Sequence, residues 1–356
     1  MTNLSPLPAR AVWSDAEPLE CVSVIPEGPA TATFTFRAPS GALFEFDPGQ
    51  FLTLEVPVPG GAVHRTWTIS SSPSRPRSLS ITAKAQAGSV ATRWMLDHLK
   101  PGMRLKAIGP AGRFSHVNHP SRKYLFISAG AGITPVMSMT TFLFDLGDDC
   151  DVVFVNCARR PSEILFRERL EHMASRVPGI HLKWVVEEPD PFAPWTGFEG
   201  RLNQLMLGLM APDYLDREVF CCGPEPFMTA VREALAGFGF DMSRYHQESF
   251  AAPVGTEMPV PEDVVPEEGA GAEIVFAASG RATTCAQTDT ILNATRNAGL
   301  SIPAGCTFGV CGTCKVRKLK GVVHMVHNGG INEDDIAEGW ILACCSHPIG
   351  SVTIDV

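Results

Sequence analysis

The run Ala304-Gly305-Cys306-Thr307-Phe308-Gly309-Val310-Cys311-Gly312-Thr313-Cys314 sets three cysteines at C-x4-C-x2-C spacing. Completed by one more cysteine further along, that spacing suits a two-iron, two-sulfur cluster better than a disulfide. Thiolates must converge on two adjacent irons while backbone N–H groups turn inward to the negative sulfurs. Gly305, Gly309 and Gly312 leave the backbone free to do so. Zinc or free thiols are the alternatives, but structural zinc usually takes paired C-x2-C units, and Cys311 and Cys314 form a single one. The fourth sulfur is offered twice, in Ile341-Leu342-Ala343-Cys344-Cys345-Ser346.

Outward from this loop, the 356 residues are 45% hydrophobic and 19% charged, enough for two or three separate cores. A net charge of −9 without any basic run argues against nucleic acid as a partner. Met1 to Glu20 holds no basic segment followed by an apolar stretch, so no secretory signal is expected, and no apolar run suggests a membrane span. Eleven cysteines beside a cluster-like loop point to a reducing cytoplasm. Cys21, Cys150, Cys157, Cys221 and Cys285 read as structural.

Alternation in Thr31–Phe36, Gln50–Val56 and Ser78–Thr82, punctuated by Pro and Gly, predicts an antiparallel barrel over residues 1–120, with a helix from Val90 to Leu99. From 121 to 250 the rhythm becomes strand, turn, helix. Strands are expected at Tyr124–Ser128, Val152–Val155, Ile180–Val186 and Glu218–Cys222, with helices at Pro135–Leu146, Glu163–Met173 and Phe227–Ala236. That order predicts an α/β domain around a parallel sheet. Residues 251–272 are rich in Pro, Glu and Gly and read as an extended tether that lets the last domain, 273–356, dock and swing.

Glu273–Val356 resembles a plant-type ferredoxin, an α+β β-grasp domain whose last cysteine sits in a similar Leu-Ala-Cys segment before a final strand. The resemblance selects Cys344 to join Cys306, Cys311 and Cys314, sets Cys345 aside, and places the strand at Ser351–Val356. Arg65-Thr66-Trp67-Thr68-Ile69-Ser70-Ser71 resembles the R-x-Y-[ST]-x-x-S motif of the ferredoxin-NADP reductase superfamily. It implies that Arg65 contacts a flavin phosphate, Trp67 covers the ring in place of tyrosine, and Thr68 approaches the reactive nitrogen. Guanidinium and a flat aromatic suit those tasks. Lys84 and Gly88-Ser89-Val90-Ala91-Thr92, opening a helix, suggest a pyrophosphate contact. Ala91 stands where relatives often carry serine, which leaves FAD, the preferred flavin, open to FMN. Gly109-Pro110-Ala111-Gly112-Arg113-Phe114 resembles the family's strand-ending turn.

Ser128-Ala129-Gly130-Ala131-Gly132-Ile133-Thr134-Pro135 is similar to the superfamily's G-x-G-x-T-P loop. Gly130 and Gly132 permit close approach of a pyrophosphate, and Pro135 fits a first helical turn. Cys222-Gly223-Pro224-Glu225-Pro226-Phe227-Met228 looks like the C-G-P-x-x-F-M segment, whose cysteine lies by the nicotinamide without acting as a nucleophile. Arg159 and Arg160 fall in the loop near the adenine ribose. They could take a 2′-phosphate, yet NADH is preferred to NADPH. Glu248, closing the domain in Tyr245–Phe250, is expected near the flavin. Thr68, Cys222 and Glu248 are the residues the resemblance places at the chemistry.

The whole order resembles reductase components that feed Rieske-type oxygenases, and Ser70–Arg75 brings it nearest to quaternary-amine demethylase reductases. That implies electrons passing from nicotinamide through flavin, which splits pairs into single electrons, to the cluster and a protein acceptor. A reductase of another metalloprotein, such as a hybrid-cluster protein, and a redox-sensing binding protein remain the alternatives. Glu333, Asp334 and Asp335 read as a solvated acidic turn or a guide for a basic acceptor.

Overall fold

The computed structural model describes residues 11–86, 88–147, 149, 151–190, 194–250, 266–267, 269–307, 309–327 and 329–356. Most of the expected tether lies outside the described residues, as do Cys150 and Phe308.

Strands β1 (Leu19–Gly28), β2 (Thr31–Arg37), β3 (Phe51–Val58), β4 (Gly61–Thr68) and β5 (Leu79–Lys84) precede helix α1 (Val90–His98), followed by β6 (Arg104–Leu105) and β7 (Ala107–Ala111). They form two antiparallel sheets, β5-β2-β1-β6 and β4-β3-β7, joined by an Ile69–Ile81 bridge into a barrel-like closure. Alternation fills it: Phe34, Phe36, Leu52, Leu54 and Ile81 point into one core, and Met95 of α1 plugs it.

The second unit runs β8 (Lys123–Ala129), α2 (Ile133–Leu146), β9 (Asp151–Ala158), α3 (Arg167–Arg176), β10 (Ile180–Val186), β11 (Phe198–Glu199), α4 (Gln204–Met210), β12 (Glu218–Cys222), α5 (Glu225–Gly237) and β13 (Tyr245–Glu248). All pairings are parallel, in the order β11-β10-β9-β8-β12-β13. The chain steps one way from β8 to β9 and later returns to β12 on the other side, so the strands' carboxyl ends open a crevice between β8 and β12. Helix α2 covers one face and ends at Gly147, whose φ of +69° gives the left-handed cap. Helix α3 begins at Arg167, not at Glu163. Pro161–Glu163 forms a 3-10 turn, and Phe166 sits at φ +57°, which breaks the helical path.

The third unit comprises β14 (Gly271–Phe276), β15 (Arg281–Ala286), α6 (Ile291–Asn297), β16 (Lys315–Met325), α7 (Glu333–Ala337), β17 (Trp340–Leu342) and β18 (Ser346–Ile354). Its sheet is β15-β14-β18-β16-β17, with α6 packing Ile291 and Leu292 against Ile274, Phe276 and Val352. Strand β18 starts directly after Cys345, five residues before the expected Ser351, and β14 takes in the last two residues of the expected tether. The acidic Glu333, Asp334 and Asp335 make the first turn of α7, where their charge complements the helix dipole. Asn332 caps that turn, and Lys315 pairs with Asp335 at 3.2 Å.

Candidate functional site

Between α6 and β16 the cysteine loop turns its amides onto sulfur. Cys306 Sγ accepts from the N–H groups of Val310 and Cys311, and Cys311 Sγ from that of Cys306, each at 3.3 Å. Cys344 Sγ accepts from Gly309 N–H at 3.3 Å, and Cys314 Sγ from Cys344 N–H at 3.4 Å. Gly312 is at φ +71°, and a Cβ there would lie 2.8 Å from the Gly330 carbonyl, so only glycine fits.

The amide bonds group the sulfurs in two pairs, Cys306 with Cys311 and Cys314 with Cys344, and the Cys344 thiol also meets Cys306. Cys306, and then burial, raise the proton affinity of Cys311, while a hydrogen bond from Cys344 holds that of Cys314 down. Among the described residues no three His, Cys, Asp or Glu side chains converge as a single-ion site needs. Two pairs of sulfurs ringed by N–H donors are instead the donor set that two bridged irons take. Cys345 Sγ donates to the Leu342 carbonyl at 3.7 Å and also meets the Cys344 thiol, while no amide of the 306–314 loop is bonded to it among the described residues.

Beside this loop lies a cavity of about 560 Å³ where the three units meet. Arg65, Trp67 and Thr68 line it from β4; Ala131, Thr134 and Glu248 face it from the nucleotide unit; Gly305, Cys306 and Thr307 close it from the cluster loop. The Arg65 guanidinium donates to its neighbour's carbonyl, His64 O, at 2.7 Å and meets no carboxylate among the described residues. Ser89 and Thr92 line the cavity at the start of α1. Ser89 also lines a groove of about 570 Å³ that continues past Gly88, Val90 and Trp94. A guanidinium with no carboxylate partner among the described residues, a helix start and a cavity of ordinary ligand size fit a flavin with an extended nucleotide tail.

Not every expected contact faces this space. Ala91 is packed in the barrel core and lines neither cavity nor groove. Lys84 lines the cavity, but its Nζ is held by Glu163 Oε2 at 2.7 Å across the two units. Ser71 is structural here: its Oγ accepts from Ser80 N–H at 2.9 Å, and its carbonyl accepts from Ser138 Oγ of α2 at 2.6 Å. Arg75 extends that brace with two bonds to Asp145, at 2.8 and 2.7 Å, and Ser74 joins them. The stretch Ser70–Arg75 therefore fixes the barrel on α2.

On the crevice side, Cys222 and Glu248 are register partners on β12 and β13. Burial, then the neighbouring Glu248, push the Cys222 thiol well up, so it stays protonated. Glu248 is half-buried as a residue, yet its Oε2 is shut off from solvent without a hydrogen-bond partner. Burial raises its carboxyl to about 8. Such an orphaned acceptor at the cavity wall is the chemistry a bound ring's N–H or a proton would satisfy.

Gly130, at φ +54°, and Gly132 follow β8, with Thr134 Oγ1 bonded to Ala131 O at 3.0 Å and Pro135 buried in the first turn of α2. Gly223 is pressed against Phe227, since a Cβ there would lie 2.7 Å from its ring. Arg159 and Arg160, past the end of β9, both bind Glu188, past β10, at 3.2 and 3.0 Å.

The pH consequence of Glu248 has a definite sign. Its folded value lies above the ordinary carboxyl value of 4.5, so its contribution to stability is full below about pH 4.5 and is lost as pH rises through about 8. In the flavin-free protein, melting temperature should fall from pH 5 to 8.5 more steeply than in Glu248→Gln. Parallel curves for the two proteins would refute the buried-acid assignment.

Two features of the site carried no sequence signal. Arg296, in the last turn of α6, brings a second guanidinium to the cavity from the cluster unit. Thr53, Thr66 and Thr313 form a hydroxyl contact between β3, β4 and the cluster loop.

A barrel with a phosphate-ready cavity, a parallel-sheet nucleotide crevice and a thiolate loop at their junction define a flavin- and nicotinamide-dependent iron–sulfur reductase. The sequence matches the oxidoreductase FAD-binding domain over residues 20–116, the oxidoreductase NAD-binding domain over 126–233 and the 2Fe-2S iron-sulfur cluster binding domain over 275–348. It is 67% identical to the stachydrine N-demethylase reductase subunit of Rhizobium meliloti, covering 96% of this chain and 97% of that protein. It is 45% identical to the glycine betaine monooxygenase reductase subunit of Pseudomonas aeruginosa, with 96% of each covered. Phthalate dioxygenase reductase shares the fold at a TM-score of 0.59 and 20% identity, over 97% of this chain and 100% of that one. The chain belongs to the family of FAD-, NAD- and 2Fe-2S-binding monooxygenase reductase subunits. Among the described residues no helix is long and apolar enough to cross a membrane.

Proposed function

We propose that this reductase works in the cytoplasm, draws on NADH, and supplies electrons to a Rieske-type oxygenase that demethylates a quaternary amine. The observation that carries this reading is the 67% identity, over nearly the full length, to a reductase subunit of stachydrine demethylation. Four units of the chain divide the work: residues 1–120 hold flavin, 121–250 hold nucleotide, 251–272 tether, and 273–356 hold the cluster.

When held here, a flavin would supply the exchange of a hydride for single electrons and a cluster their one-at-a-time passage. The chain's own residues bind and orient. Arg65 and the start of α1 neutralise phosphate, Trp67 and Thr68 flank the ring, and Glu248 holds or releases a proton at its enclosed Oε2. Gly130, Gly132, Thr134, Pro135 and Gly223 shape the crevice for the dinucleotide. Cys222, protonated and apolar, excludes water beside it. Cys306, Cys311, Cys314 and Cys344 hold the cluster, their negative charge balanced by the inward amides.

The nucleotide preference rests on Glu188. Its carboxylate faces both Arg159 and Arg160, so a 2′-phosphate entering here meets a negative charge in place of two free guanidiniums. Glu188→Gln should raise kcat/KM for NADPH about tenfold and leave NADH within a few-fold, given the worth of a charge-assisted bond. An unchanged NADPH/NADH ratio refutes the assignment.

The whole reading is tested by mixing the loaded reductase, NADH and purified quaternary-amine oxygenase with stachydrine or glycine betaine. Substrate-dependent NADH oxidation with formaldehyde release is expected. Rapid cytochrome c reduction with no transfer to either oxygenase would point to a different metalloprotein acceptor.

A further inference from the structure

We infer that Thr53, Thr66 and Thr313 form a hydroxyl latch that sets the position of the cluster loop on the flavin sheet, making Thr53 and Thr313 positioning residues for electron passage between them. This rests on the electron route proposed above. Thr53 on β3 and Thr66 on β4 are register partners, and their hydroxyls meet at 3.1 Å. Thr313, between two cysteines of the loop, donates to Thr53 Oγ1 at 3.2 Å across 260 residues of sequence. Thr53 is 1% exposed and Thr313 8%, so the contact is dry.

The loop's other arm rests on the same pair. A Cβ on Gly305 would lie 3.0 Å from both Thr53 Cγ2 and Thr66 Oγ1, so glycine is what lets the backbone beside Cys306 reach the sheet. Two points of one loop, either side of Cys306 and Cys311, thus seat on one threonine pair. The next residues of β4, Trp67 and Thr68, line the cavity that Cys306 closes. A third close approach lies elsewhere on the cluster unit: a Cβ on Gly329 would lie 3.3 Å from Arg113 Cδ.

The seat is polar by construction. The apolar core of the barrel and that of the cluster unit are separate clusters with no residue in common. No continuous apolar core therefore spans the two units, and directional hydroxyl bonds specify distance more sharply than a non-directional apolar contact.

The test uses the full-length protein loaded with flavin and cluster. On rapid mixing with NADH, Thr53→Val should slow cluster reduction on the order of tenfold, since displacements of about 1 Å carry penalties up to 10²-fold. Flavin bleaching and ferricyanide turnover should keep their rates, and Thr53→Ser should restore the transfer. The double variant Thr53→Val/Thr313→Val should be no slower than the slower single, because both remove one interaction. In the cofactor-free chain, Thr53→Val should speed amide exchange around Gly305 and Thr313. Wild-type cluster reduction in Thr53→Val, additive single effects, or unchanged exchange overturns the latch. Failure of the unmodified protein to reduce its cluster with NADH would instead sink the electron route, and the exchange result would still decide whether the latch exists.

Discussion

Cys344→Ser should cut NADH-driven cytochrome c reduction by roughly a hundredfold or more, while ferricyanide reduction through the flavin stays near that of the unmodified protein. Losing a mere outer-shell partner of a metal site costs 10–100-fold, and a ligand costs at least as much. Cys344 occupies a special place: its sulfur accepts the Gly309 amide and its own amide supports Cys314 Sγ. One substitution therefore removes a soft thiolate and disturbs the partner that completes its pair. Cys345→Ser is the control. Its sulfur donates to Leu342 O outside the loop, so the visible absorbance of the cluster and the cytochrome c rate should survive. Loss of the cluster in Cys345→Ser but not in Cys344→Ser would reverse the ligand assignment. Equal loss of ferricyanide and cytochrome c reduction in Cys344→Ser would show that the barrel depends on the cluster for its fold.

Chemistry that is local in the chain could be read from the chain. The cysteine loop is legible because iron fixes its spacing, and β10 and β12 are legible to the residue because Ile180, Leu182 and Trp184 alternate with His181 and Lys183 in the first and an apolar run follows Glu218 in the second. The start of β18 is hidden in the sequence because its inward positions there are Ser346 and Pro348 and not large apolar side chains. The site was harder, since its charges are set by distant partners. Lys84 looks like a phosphate ligand until Glu163, 79 residues on, takes its ammonium. Ser71 looks like the end of a flavin motif until Ser138 of α2 engages its carbonyl, and Arg75, beyond that motif, is taken up by Asp145. Arg296 and the three threonines belong to no motif at all, because only the docking of one unit on another gives them a task.

Gly132→Ala should slow flavin reduction by NADH about a hundredfold, with both cytochrome c and ferricyanide reduction lost together. The sequence suggests that this glycine lets a pyrophosphate approach, but the structure gives it a second duty. A Cβ here would lie 2.7 Å from Gly223 N and closer still to the Cys222 carbonyl. Those atoms are backbone, so no rotamer can relieve the clash. The turns after β8 and β12 must part, and these two turns are the walls of the nucleotide crevice. Overpacking of this kind costs about 1–3 kcal/mol, so the melting temperature should drop while the domain still folds. A shift of about 1 Å at the crevice is enough for the hundredfold loss in rate. Gly130→Ala makes the comparison sharp: φ is +54° there, but no heavy atom lies within 4 Å of the added carbon. It should lose about 1–2 kcal/mol of stability from the left-handed backbone and keep most of its rate. Dithionite, which needs no crevice, should reduce the flavin of Gly132→Ala as fast as that of the unmodified protein. If Gly132→Ala takes hydride from NADH at the unmodified rate, or Gly130→Ala fails equally, contact between the two turns is not what makes the crevice.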